Sequence, residues 1–360
     1  MIYIYYAFTL ILVISSLLPL IQNQFWFFRI FDFAKVQIMI LQVILFVVGF
    51  FIVLPQKIFL TIQLVLVACI IYEIALLYKY TPLYKLPKIS KTNRASESID
   101  IISANVFQFN TKFQNFIQLI EQEQPDIFIT MESNQAWDDA MKVLEKTYPH
   151  FVKIPLENTY GIHLYSLHPF TEQKVHYFIA DDIPSIQVTL KTKNGISYDV
   201  FAVHPPPPSP TEEATSKERD GELLAVAKKI REEQRIGVVI GDFNNVAWGK
   251  SSVLFRKTSE MIDPRIGRGL ISTFHAKYKL LRFPIDQMYH DTSIFVEDIK
   301  ALPNIGSDHL PLYCKFYIDP KNEAQEDEIE TLEAGDLKEV DELIQAGKEE
   351  ESDRETVVTE

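Results

Sequence analysis

Gly237-Val238-Val239-Ile240-Gly241-Asp242-Phe243-Asn244 is the stretch on which the fold of this chain turns. Its first four residues form an apolar run of the kind that fills a buried strand. Asp242 and Asn244 then emerge at the strand's C-terminal mouth, two residues apart and able to face the same way. Gly-Asp-x-Asn is also an ordinary turn in which Asp and Asn bond their own backbone, so the tetrapeptide alone decides nothing. Its weight comes from what surrounds it. Downstream, Ser307-Asp308-His309 leads into a second strand-like run, Leu310 to Tyr317. Upstream, Asn105 follows Ile99 to Ala104, Glu132 follows Ile127 to Met131, and His204 closes Tyr198 to Val203. Carboxylate, amide and imidazole groups gathered at neighbouring strand ends can hold a divalent metal and deprotonate a water, as phosphate ester hydrolysis requires.

The ordered motifs Ala104-Asn105-Val106, Met131-Glu132-Ser133, Tyr160-Gly161-Ile162, Val203-His204-Pro205, Gly241-Asp242-Phe243-Asn244, Pro284-Ile285-Asp286 and Ser307-Asp308-His309 resemble those of the endonuclease/exonuclease/phosphatase superfamily. The resemblance runs from residue 97 to residue 318 and is nearest to the bacterial subgroup with hydrophobic segments ahead of the domain. It implies an α/β protein with the four-layer α/β/β/α sandwich of the DNase I-like fold, acting as a metal-dependent phosphoesterase. By the same resemblance Glu132 ligates Mg²⁺ or Mn²⁺, with Asn105 and Asp308 in or near the same shell. His309 accepts a proton from the attacking water and is oriented by Asp286. Asp242 positions the nucleophile or leaving oxygen, and Asn244 and His204 bond phosphate oxygens. Hard oxygen ligands without thiolates suit magnesium-class ions better than zinc. One departure from the family pattern follows Asp286, where Gln287 stands in place of the usual His.

Ahead of this domain, Ile2 to Ile21 and Val36 to Leu54 hold no charged side chain, and Ile58 to Tyr78 holds only Glu73. Each run has about the 20 residues needed to cross a bilayer, which predicts three transmembrane helices and a membrane domain over residues 1–80. A cleaved signal peptide fits poorly, since a basic start and a small-residue cleavage pattern are missing and two more spans follow. Phe25, Trp26, Phe27 and Phe28 suit an aromatic belt at the membrane interface. Glu73 is expected to reach headgroups or meet a neighbouring helix. Lys79, Lys85, Lys88, Lys91 and Arg94 follow the third run, so the positive-inside rule puts the catalytic domain in the cytoplasm of a bacterium, anchored in the inner membrane.

Residues 81–96 form a basic linker with Pro82 and Pro87, and residues 97–319 form the catalytic domain. Helical patterns at Lys112 to Gln122 and Glu212 to Glu233 alternate with strand runs, some of which follow each other directly; this predicts a mixed sandwich instead of a regular parallel barrel. Lys321 to Glu360 carries 16 acidic residues against 4 basic ones, nearly all of the chain's net charge of -13, and no aromatic residue. That composition predicts a disordered tail over residues 320–360, with a short helix possible between Ile329 and Ile344. Cys69 and Cys314 lie far apart and predict neither a disulfide nor a cysteine metal site. Pro205 to Pro208 reads as a rigid loop beside the site, and Arg219, Arg265 and Arg268 are candidates for further phosphate contacts.

The expected partners are the lipid bilayer and a phosphate ester, either nucleic acid or a phospholipid or inositol phosphate. Without the tail the chain is nearly neutral, and no basic surplus of the kind that tracks a nucleic-acid backbone is evident. A catalytically silent membrane scaffold is the alternative from another class. Its signature would be lost ligand residues, whereas the set here is complete.

Overall fold

The computed structural model of the chain describes residues 2–85 and 97–352. Most of the basic linker, and the last residues of the acidic tail, lie outside these. Four helices come first: α1 (Ile2–Leu17), α2 (Trp26–Phe33), α3 (Lys35–Gly49) and α4 (Gln56–Leu77). The helices α1 and α4, with their short 3-10 extensions, are long and apolar enough to cross a membrane. Sequence predicts a third full span over residues 36–54, but α3 has only 15 residues and bends by 71° from α2, so a third span exists only if that bent pair counts as one. At 1.5 Å per residue, α3 alone covers about 22 Å, short of a hydrocarbon core of about 30 Å.

A buried polar knot ties the apolar helices together. Lys35 donates to the Ser16 carbonyl at 2.8 Å and faces Glu73 at 3.4 Å, while Ser16 Oγ donates to Glu73 Oε1 at 2.8 Å. Glu73 therefore meets its neighbours inside the bundle, and does so with both charged side chains fully buried.

Residues 99–318 contain β1 (Ile99–Asn105), α5 (Phe113–Glu123), β2 (Ile127–Met131), α6 (Gln135–Met141), β3 (His150–Ile154), β4 (Ile162–Ser166), β5 (Glu172–His176), β6 (Ser185–Lys191), β7 (Ser197–Val203), α7 (Lys217–Glu233), β8 (Gly237–Asp242), α8 (Lys250–Ser259), β9 (Asp286–His290), β10 (Ile294–Ala301) and β11 (Leu312–Ile318). One sheet has the order β10-β11-β1-β2-β4-β3, the other β5-β6-β7-β8-β9. Side chains alternate across each strand. Ile99 and Ile101 of β1, Ile127 and Ile129 of β2, Val200 and Ala202 of β7, and Val238 and Ile240 of β8 all meet in one core between the sheets. The opposite residues face outward: Ile102 and Phe128 pack under α5 and α6, while Phe201 and Val239 pack under α7. Helix, sheet, sheet and helix make the four layers that sequence predicts.

The described part of the acidic tail departs from the disorder expected of it, while the short helix expected between Ile329 and Ile344 is found at Asp336–Lys348. Asp336–Lys348 forms a helix, α9, whose Val340 is buried against Leu224 of α7 and Leu254 of α8. Gly347 and Gly221 let the two helices approach closely, since a Cβ on Gly221 would sit 3.3 Å from the Gly347 Cα. Acidic residues of the tail meet a basic surface: Glu330 pairs with Arg256 at 3.1 Å, and Asp336 and Glu333 pair with Lys257 at 3.0 and 2.9 Å. The self-repulsion on which the disordered expectation rested is partly offset by these cations, and an apolar stripe of Val340, Leu343 and Ile344 supplies the packing.

Candidate active site

The two-residue period that builds the core also builds the site. Asn105 lies on the inward face with Ile101, Asp242 with Ile240, and His204 with Ala202. β1 and β2 run parallel, with Asn105 opposite Met131, and β7 and β8 run parallel, with Val203 opposite Gly241. The contact of Asn105 with Asp242 across the two sheets shows that the C-terminal ends of both pairs open on the same side. β9 runs antiparallel to β8 and sets Asp286 opposite Asp242, and β11 runs antiparallel to β1, so Asp308 and His309 arrive beside Asn105. Gly241 is needed at the crowded end of β8, because a Cβ there would lie 2.0 Å from the Val203 carbonyl oxygen.

Seven of the eight residues expected from the sequence, Asn105, Glu132, His204, Asp242, Asn244, Asp308 and His309, line one cavity of about 1390 Å³. Asp286 is buried behind His309, whose Nδ1 lies 2.8 Å from Asp286 Oδ2. His309 Nε2 is 3.5 Å from Asp242 Oδ2, and His204 Nε2 is 3.9 Å from the same oxygen. Asn105 Nδ2 joins the sheets by donating to Glu132 Oε1 at 2.8 Å and Asp242 Oδ2 at 3.1 Å. Its Oδ1 accepts from the Phe107 amide at 3.0 Å, so it is the nitrogen of Asn105, not the oxygen, that faces the carboxylates. Glu132 also accepts from the Gln108 amide at 3.0 Å.

Backbone strain is concentrated here. Glu132 has φ +59° and Asn244 φ +47°, in the left-handed region that non-glycine residues adopt at a cost. In Glu132 this turns the side chain off the strand direction toward the cavity. Asn244 is held by its amide nitrogen, which donates to the Pro205 carbonyl at 2.9 Å, and its backbone N–H donates to Asp242 Oδ1 at 2.9 Å.

Burial and neighbouring charge perturb the site strongly. Burial pushes the Glu132 carboxyl up to about 7, against the pull of its bonds from Asn105 and Gln108. For His309 burial acts downward but is outweighed by Asp286 and Asp242, which hold the imidazole up at about 10. Burial takes His204 down to about 4, so it is neutral at physiological pH. Burial also raises Asp242, with His309 opposing. Asp242, Asp286 and His309 place one ligand atom each within 4.8 Å of one another. Their order, with His309 hydrogen-bonded to Asp286 through Nδ1 and facing Asp242 through Nε2, fits an oriented proton carrier. The oxygen-rich group of Glu132 and Asp308 beside it is the better match to a hard divalent cation, which would relieve the burial of the Glu132 charge.

The arginines go elsewhere. Arg265 is fully buried in a two-pronged pair with Asp263 and also donates to Gln287 Oε1 at 2.9 Å, Arg219 pairs with Asp220, and Arg268 donates to the Pro264 and Val296 carbonyls. Arg219 also donates to the Asn244 carbonyl at 3.0 Å, behind the site, and none of the three lines the cavity. Gln287, the departure from the family pattern, bridges Arg265 to the Asn245 carbonyl. Two placements in the cavity were not expected from the sequence: Tyr160, which figures there only as part of a motif and whose ring lies 5.5 Å from that of His204, and the α2 aromatics Trp26, Phe27 and Phe31.

Residues 102–309 match the model of the Endonuclease/Exonuclease/phosphatase family. No curated protein matches the chain. Among solved structures, a Bacteroides thetaiotaomicron endonuclease/exonuclease/phosphatase family protein is 17% identical with a TM-score of 0.53, covering 64% of this chain and 99% of its own. The human Nocturnin catalytic domain with bound sulfate is 16% identical with a TM-score of 0.52, covering 63% and 96%. D. rerio TDP2 complexed with a single-stranded DNA product is 18% identical with a TM-score of 0.52, covering 61% and 99%. At these identities the likeness is one of fold. The family match spans more than half of the chain and coincides with the sandwich and its cavity, and the chain belongs to the endonuclease/exonuclease/phosphatase family.

Proposed function

We propose that the chain is a membrane-anchored, divalent-metal-dependent hydrolase of phosphate esters. The observation that carries this is the line of His309 hydrogen-bonded to Asp286 through Nδ1 and facing Asp242 at 3.5 Å through Nε2, with His309 and Asp242 lining the same cavity as Glu132 and Asp308. Asp286 fixes the His309 ring through Nδ1 and leaves Nε2 toward the cavity, where it can take a proton from water. Asp242 aligns that water or the leaving oxygen. His204, neutral, and the remaining amide hydrogen of Asn244 bond non-bridging oxygens as charge develops. Held by Glu132 and Asp308, Mg²⁺ or Mn²⁺ would polarise the phosphoryl group and offset the carboxylates that keep His309 protonated. Asn105, with its nitrogen turned to Glu132 and Asp242, orders the carboxylates.

The anchor is supported by the apolar helices α1 and α4. The positive-inside rule, applied to the lysines and arginine after α4, puts the domain on the cytoplasmic face. Hydrolysis by the full chain in lipid nanodiscs tests the function. Oligonucleotide, inositol phosphate and phospholipid substrates are offered with and without Mg²⁺ or Mn²⁺, beside His309→Ala. Metal-dependent turnover lost in the variant is the expected result. No turnover from a folded protein that also fails to bind either ion would instead favour a silent scaffold.

A further inference from the structure

Much of the cavity lining is apolar and takes no part in the proposed chemistry. Trp26, Phe27, Ile30, Phe31 and Phe33 of α2 line it together with Glu132 and His309. This helix is inside out for a soluble surface. It turns Arg29 and Asp32 into the protein and leaves Phe27 and Ile30 exposed, at 42% and 49%. It is also firmly seated on the catalytic domain. The Trp26 amide donates to the Ala214 carbonyl at 3.0 Å, the Ser216 amide to the Gln24 carbonyl at 2.7 Å, and Trp248 Nε1 to the Asp32 carbonyl at 2.8 Å. On either side along the chain stand the apolar helices α1 and α3, and the 71° bend turns α2 across the direction of α3. An aromatic helix so placed suits the interface of a bilayer.

We infer that α2 is the apolar wall of the substrate site, and that the substrate is an amphiphilic phosphate ester drawn from a lipid surface. This rests on the hydrolytic function proposed above and names its substrate class. The phosphate sits among His309, Asn244 and Glu132, and the hydrocarbon part lies along Phe27, Ile30 and Phe31. Volume supports it, since about 1390 Å³ exceeds what a small headgroup fills. Charge supports it as well. Among the described residues lining the cavity there is no Lys or Arg, while Glu157 and Glu212 add to the acidic site residues. A nucleic-acid backbone would need a cationic track there.

Two measurements on the full chain in nanodiscs test the inference, with empty discs subtracted. Calorimetric binding of inorganic, butyl and decyl phosphate should tighten by at least about tenfold from butyl to decyl. The gap should shrink in Phe27→Ser/Ile30→Ser. Turnover should favour a diacyl phosphodiester in the disc over its deacylated, water-soluble counterpart and over a single-stranded oligonucleotide. Equal affinity for all three phosphates, or preference for the oligonucleotide, would overturn the inference. His309-dependent turnover without chain preference would do so while sparing the hydrolase. Chain-dependent binding without turnover would spare the apolar wall and remove the hydrolase. The comparison within the wild type stands even if the double variant fails to fold.

Discussion

His309 and Asp286 are joined at 2.8 Å through Nδ1, with Asp286 buried behind the ring and away from the cavity. In the proposed mechanism Asp286 therefore acts on substrate only through His309. His309→Ala should lower kcat by roughly 10²–10⁴-fold. Asp286→Asn should cost somewhat less, and the double variant no more than His309→Ala alone, because the two act as one unit. Steady-state rates on any accepted substrate check this. Losses that multiply would mean that Asp286 works independently.

A different carboxyl gives a pH signature in stability. Glu222 is buried on α7, where Ser185 Oγ donates to it at 2.7 Å, and burial pushes it from 4.5 up to about 8. A carboxyl whose folded pKa exceeds its unfolded one contributes fully below the unfolded value and loses that contribution as pH rises. The loss here runs from about pH 4.5 to about pH 8. Glu222→Gln should match wild type in Tm near pH 4 and exceed it by roughly 5 °C at pH 8. Thermal melts at both pH values decide, and a Tm difference that does not change with pH would contradict it.

The acidic tail should behave as part of the domain. Val340→Asp places a charge against Leu224 and Leu254, and should lower stability by about 2–4 kcal/mol. Denaturant unfolding measures this. An unchanged midpoint would mean that α9 does not pack on α7 in solution.

Lys35 and Glu73 form a fully buried pair at 3.4 Å among the apolar helices. Lys35→Met alone leaves the carboxylate without its cation and should destabilise the protein by about 3–5 kcal/mol, whereas Lys35→Met/Glu73→Leu should recover most of that loss. Thermal stability in nanodiscs across the four proteins reads the coupling, and strict additivity would exclude it.

Much of the site was legible because it rides on strand periodicity. Asn105, His204 and Asp242 share the parity of the core residues preceding them, so a correct strand reading carries their direction with it. What stayed hidden depends on contacts distant in sequence. Arg265 looked like a phosphate ligand until Asp263 and Gln287 enclosed it, and no local pattern distinguishes a buried guanidinium from an exposed one. The tail read as disordered because its charge was summed alone, without Arg256, Lys257 and Lys217 on the surface it meets. Similarly, the aromatics at Phe25 to Phe28 signalled an interface, but it takes contacts distant in sequence, such as Trp26 to Ala214 and Trp248 to Asp32, to bring Trp26 and Phe27 to the cavity.

The central claim is tested most directly by following the hydrolytic rate of the full chain against Mg²⁺ concentration, beside Glu132→Gln. Wild type should show saturable activation from a chelator-treated baseline near zero, and Glu132→Gln should lose nearly all of the maximal rate or need far more ion. Turnover that persists in chelator, or an identical Mg²⁺ curve in the variant, would contradict the assignment of Glu132 and the metal-dependent chemistry built on it.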